Sequence, residues 1–144
     1  GPIPMSATFT GQLKKKSQEA GAYVIPLLCP YDVFAKGIAV LRAKQAAGRP
    51  YDQTDTRDVE SRYSPDIARA LKNSMLSLPQ GIKCHDLRTI YFNTVFWCYV
   101  SPYSFDRTAM SVLGHDDLHS AKAYGNCRLE NAAALYGVFG PLPM

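Results

Sequence analysis

Lys83-Cys84-His85-Asp86-Leu87-Arg88, followed by Leu113-Gly114-His115 and then by Tyr124, is the part of the sequence on which the reading turns. His85 and Arg88 are three residues apart, so on a helix they share a face. Directly after them, Thr89 to Val100 is crowded with β-branched and aromatic residues, which by propensity alone would make a strand. Helix propensities differ by only a few tenths of a kcal/mol per residue, so packing can override them. Leu113-Gly114 reads as the end of a helix with glycine as the stop signal, and His115 lies just beyond it. Tyr124 comes nine residues after His115.

Upstream, Ala7-Thr8-Phe9-Thr10-Gly11-Gln12-Leu13 and Ala22-Tyr23-Val24-Ile25-Pro26-Leu27 are two β-leaning runs. Between them lies a polar connection bearing Lys14, Lys15 and Lys16, so they read as a hairpin with a long exposed tip. Pro26 has no N–H for a ladder and must sit at an edge or a strand end. Pro30 to Ala47 reads as a helix with Phe34, Ile38 and Leu41 on one stripe and Gly48 closing it. Arg49 to Arg62 is polar and acidic, and a loop with at most a short helical turn is expected there.

Ser64-Pro65 fits the N-cap and first turn of a helix carrying Ile67, Leu71 and Met75, ending before Pro79-Gln80-Gly81. Ser104 opens a further helix through Ala109, Val112 and Leu113. Asp116-Asp117 suit the cap of the piece that carries Tyr124, and Glu130 to Val138 is helical in composition. Together these elements predict an α+β chain, mostly helical, with a small antiparallel hairpin near its N-terminus.

At 144 residues the chain has room for one domain with its own core. Apolar residues at 47% and charged residues at 19% are a globular balance, against disorder. The apolar runs Val24 to Leu28 and Val95 to Val100 are far too short for a membrane span, and no secretory signal pattern is present. Gly1-Pro2 has the form of a protease-cleavage scar, so residues 1–6 are expected to be disordered and the native start to be missing. Cys29, Cys84, Cys98 and Cys127 show no metal-ligand spacing, and reduced, mostly buried thiols point to an intracellular protein. The net charge of +4 is unevenly placed. Residues 1–50 carry seven basic side chains against Glu19 and Asp32, while the rest of the chain has no basic surplus. That is a modest footprint for a polyanion partner.

The residue types assembled here suit cleavage of a phosphodiester without a metal or other cofactor. Tyr124 offers an oxygen nucleophile. Arg88 offers a planar fork for non-bridging phosphate oxygens, which lysine matches less well. His85 and His115 can donate hydrogen bonds or move a proton. A lysine at the hairpin tip can protonate the departing 5′ oxygen.

An H-x-x-R, then L-G-H, then a tyrosine nine residues on, resembles the C-terminal active-site half of the tyrosine recombinases of phage-integrase type. The hairpin adds to the likeness. Phe9-Thr10-Gly11-Gln12-Leu13-Lys14-Lys15-Lys16 and Tyr23-Val24-Ile25-Pro26-Leu27-Leu28 resemble most the F-[ST]-G-Q-x-K-x-K and Y-x-I-P-x-L strands of the telomere resolvases (protelomerases). Leu113 to Asp117 and Ala123 to Leu129 also suit that branch.

The resemblance makes residues 7–144 a partial tyrosine recombinase catalytic domain. It implies Tyr124 as nucleophile, Arg88 as the second active-site arginine, His85 and His115 as the motif histidines, and Lys14 as general acid, with Lys16 next in line. Lys14, Lys15, Lys16 and Arg88 are the implied DNA contacts. The implied partner is double-stranded DNA, bound as a dimer, in the cytoplasm and nucleoid of a bacterium or a phage-infected host cell. The expected activity is DNA cleavage and rejoining through a 3′-phosphotyrosine link, resolving replicated telomeres into closed hairpin ends. Strand exchange by a phage-type integrase uses the same chemistry, and an inactive DNA-binding or interaction module is the third reading.

One departure stands out. The family places another essential arginine upstream of the hairpin, whereas Arg42, Arg49, Arg57 and Arg62 all lie downstream of it. A fragment of a longer enzyme, inactive by itself, is therefore expected. Taken singly, each motif has a plainer meaning: H-x-x-R as a structural pair, Lys14 to Lys16 as a solvated loop, and Tyr91, Tyr99, Tyr103 and Tyr136 as packing tyrosines.

Overall fold

The structure, a computed structural model, describes residues 5–9, 22–46, 56–73, 81–114 and 129–143. Strand β1 (Ser6–Phe9) pairs antiparallel with β2 (Tyr23–Pro26), in the register Ser6 with Pro26, Ala7 with Ile25, Thr8 with Val24 and Phe9 with Tyr23. The hairpin thus forms where the β-branched and aromatic residues placed it. Pro26 ends its strand, where its missing N–H costs no ladder bond. The Leu27 N–H carries the ladder one step further, to the Met5 carbonyl at 2.8 Å. Residues 10–21, with the tip lysines, lie outside the described residues.

Helix α1 (Tyr31–Ala46) follows the predicted bounds closely. Its expected apolar stripe is only partly covered: Phe34 is half-buried, while Ile38 and Leu41 are exposed. Helix α2 (Thr56–Lys72) corrects the reading of residues 56–62 as loop. It begins well before Ser64-Pro65, and Pro65 sits inside it instead of in its first turn. Arg57, Glu60 and Arg62 are good helix formers, and the bonds on either side offset the single one that a proline removes.

Helix α3 (Cys84–Cys98) is the centre of the fold. Its start is fixed by Asp86, whose carboxylate accepts the Lys83 N–H at 2.7 Å and places an anion in the first turn. The β-leaning residues are helical because of what they bury. Phe92 and Val95 have no exposed surface and Tyr99 almost none, a spacing of three and four that only a helix brings to one side. Ala109, Val112 and Leu113 of helix α4 (Phe105–Leu113) and Leu142 complete this core. The Phe105 ring meets those of Phe92 and Phe96 edge-on at 4.9 and 5.0 Å. Each buried large side chain is worth about 1.5–3 kcal/mol, which outweighs the small propensity deficit.

Helix α4 is capped at both ends as its sequence predicts. Ser104 Oγ accepts the Arg107 N–H at 3.3 Å. Gly114 closes the other end in the left-handed region at φ +67°, donating its N–H to the Met110 carbonyl. The expected helix over 130–138 shrinks to α5 (Ala132–Leu135). The reason is that the following amides bond elsewhere. The Gly137 N–H goes to the Trp97 carbonyl at 2.8 Å and the Phe139 N–H to the Cys98 carbonyl at 2.9 Å. The tail thereby satisfies carbonyls that the end of α3 leaves without helical partners. Of the tyrosines read as packing, Tyr99 is in the core, but Tyr136 is largely exposed. Cys29 and Cys98 carry free thiols, and Cys98 is buried. No helix among the described residues is long and apolar enough to cross a membrane.

Candidate active site

Arg88 is five residues past the Lys83 cap of α3, with its side chain half-buried. Its Nη2 donates to the Leu113 carbonyl at 2.6 Å. That carbonyl belongs to the last residue of α4, where helix geometry leaves acceptors in want of a donor. One side chain thus joins the H-x-x-R motif to the L-G-H motif, 25 residues away along the chain. A guanidinium has five N–H donors in a rigid plane, and this bond takes one of them. The plane of the fork is therefore set by the protein, as a bidentate grip on phosphate requires.

His85 lies in the first turn of α3 and is exposed. The first-turn amides and the positive end of the helix dipole make that end attractive to an anion. His85 and Arg88 share this end of the helix, one at the surface and one tied inward. His115 directly follows Gly114, the left-handed residue that turns the chain off α4. His115, Tyr124, Lys14, Lys15 and Lys16 themselves lie outside the described residues.

Two further residues, Tyr23 and Tyr91, lie within the field of the Arg88 charge. Burial pushes the Tyr23 hydroxyl pKa up, against the pull of the Arg88 charge. Burial likewise drives the Tyr91 hydroxyl well above the usual tyrosine range, reinforced by Tyr99 and Tyr23 and again opposed by Arg88. Tyr91 lies three residues after Arg88, on the same face of α3, and that spacing was the available signal. Its hydroxyl donates to the Pro26 carbonyl at 2.6 Å, which ties the hairpin to the helix bearing Arg88.

Residues 3–126 match the family described as Telomere resolvase ResT/TelK catalytic domain. The chain belongs to this family. The match runs from the hairpin through α4 to Tyr124 and stops short of the tail that docks on the end of α3. No curated protein and no solved structure matches the chain significantly. The telomere resolvase catalytic domain belongs to DNA cleaving-rejoining chemistry, and DNA is the partner that the family implies.

Proposed function

We propose that this telomere resolvase domain cuts DNA through a 3′-phosphotyrosine intermediate and rejoins the strands as closed hairpin telomere ends. The observation that carries the reading is the Arg88 bond to Leu113, which couples the two motifs within a family match that extends past Tyr124. The Tyr124 hydroxyl attacks the scissile phosphorus, passing its proton to a motif histidine, His115 or His85, and forming the P–O bond to tyrosine as the P–O5′ bond breaks. Lys14 or Lys16 gives its proton to the leaving 5′ oxygen. Arg88, with His85 and His115, stabilises the charge that builds on the non-bridging oxygens. The 5′ hydroxyl of the complementary strand then attacks the phosphotyrosine and releases Tyr124, which closes the hairpin.

The family's other arginine is expected ahead of the hairpin, and residues 1–9 contain none. In this reading cleavage needs that arginine beside the scissile phosphate, whichever part of the protein supplies it. The test of the reading is the product formed by the full chain, as the cell makes it, on a replicated-telomere junction. Closed hairpins support resolution of telomeres. Exchanged duplexes would instead assign the same chemistry to an integrase, and the absence of any covalent adduct would leave a binding module.

A further inference from the structure

A helix start is well closed when an N-cap oxygen takes the third amide and the third side chain reaches back to the N-cap amide. Lys83, at the N-cap of α3, can do only part of this, because its side chain has donors and no acceptor. The rest comes from Asp86, whose carboxylate accepts the Lys83 N–H at 2.7 Å. In return the Asp86 N–H donates to the Lys83 carbonyl at 3.0 Å. Two opposed bonds close the turn, and His85 lies inside it. Arg88 lies beyond it, held from α4 by the Leu113 carbonyl at 2.6 Å.

By charge alone, Asp86 is out of place. It is exposed beside His85, at the end of α3 that attracts an anion. There its carboxylate opposes the phosphate that His85 and Arg88 are read as gripping. What it supplies is the closed turn.

We infer that Asp86 is a positioning residue for His85: its carboxylate closes the turn that carries the imidazole, while its charge weakens DNA binding. The inference rests on the function proposed above. Asp86 itself touches no reacting atom. A histidine moves a proton or donates to a phosphate oxygen only within hydrogen-bond reach, and an error of about 1 Å can cost about a hundredfold. Helix ends fray, and a first turn without its closing bond frays first.

The test separates the bond from the charge in the full chain. Asp86→Asn keeps an oxygen for the Lys83 N–H but loses the charge, and Asp86→Ala loses both. Both variants should bind DNA about twofold to fivefold more tightly at low salt, the scale of one exposed charge, with the gain shrinking as salt rises. Single-turnover cleavage should stay within about threefold in Asp86→Asn and fall about tenfold to a hundredfold in Asp86→Ala. Combined with His85→Ala, Asp86→Ala should slow cleavage no further; combined with Arg88→Lys, its effect should persist. Without DNA, hydrogen exchange at the Lys83 amide should quicken in Asp86→Ala and not in Asp86→Asn. Exchange at the Tyr99 amide, bonded to the Val95 carbonyl at 3.0 Å, should be unchanged in both.

Equal cleavage losses in the two variants, no loss in Asp86→Ala, or a further loss on top of His85→Ala would overturn the positioning role. So would Tyr99 exchange that quickens with that of Lys83, which would make Asp86 a residue of the fold alone. No gain in affinity in either variant would overturn the placing of its charge beside the phosphate. All of these leave the proposed function intact. An unsubstituted chain that forms no covalent adduct would overturn that function, and this role with it.

Discussion

Arg88 joins two sequence motifs with one planar group. It bonds the end of α4 through Nη2 at 2.6 Å, and this fixes the plane in which its other donors point. Arg88→Lys keeps the charge but loses the fork. We expect single-turnover cleavage by the full chain to fall about a hundredfold to a thousandfold, the scale of losing one oriented donor to a transition-state oxygen. Equilibrium DNA binding should change little, because the positive charge is retained among several phosphate contacts. Matching losses in both measurements would make Arg88 a phosphate-positioning residue only. The motif spacing revealed that His85 and Arg88 share a helix face. It did not reveal the Arg88 bond to Leu113 or the Tyr91 bond to Pro26, since those partners are 25 and 65 residues away.

Helix α4 was fully legible because its signals are local: Ser104 at the start and Gly114 at the end, each meeting the backbone groups of its own terminal turn. Gly114→Ala should lower the unfolding free energy by about 1–2 kcal/mol, since φ +67° is strained for any residue with a Cβ. Urea denaturation measures this, and no loss would mean that the turn before His115 relaxes freely. Helix α3 was not legible from propensity, because its β-branched and aromatic residues are helical only through what they bury. Phe92→Ala should accordingly cost about 3–5 kcal/mol in the same assay, as for other fully buried aromatics. The early start of α2 and the shortness of α5 escaped the sequence for a related reason. Pro65 looked like a start signal but is tolerated mid-helix, and the amides of Gly137 and Phe139 bond α3 rather than their own helix.

Across the whole molecule, α3 joins the other elements, bonding the hairpin through Tyr91 and α4 through Arg88, and the charge surplus lies in the first 50 residues. Residues 1–144 alone should bind duplex DNA weakly, with affinity falling steeply as salt rises, as a handful of phosphate contacts dictates. They should not cleave it, and adding an arginine-bearing helix ahead of the hairpin should restore cleavage. Robust cleavage by residues 1–144 alone would place that arginine within them and require a different reading of the hairpin. The central claim is that Tyr124 is the nucleophile. It is tested most directly by trapping the full chain on a suicide DNA substrate in the presence of a chelator, beside its Tyr124→Phe variant. The account predicts a covalent protein–DNA adduct from the unsubstituted chain and none from the variant; an adduct that persists with phenylalanine at 124, or that requires magnesium, would contradict it.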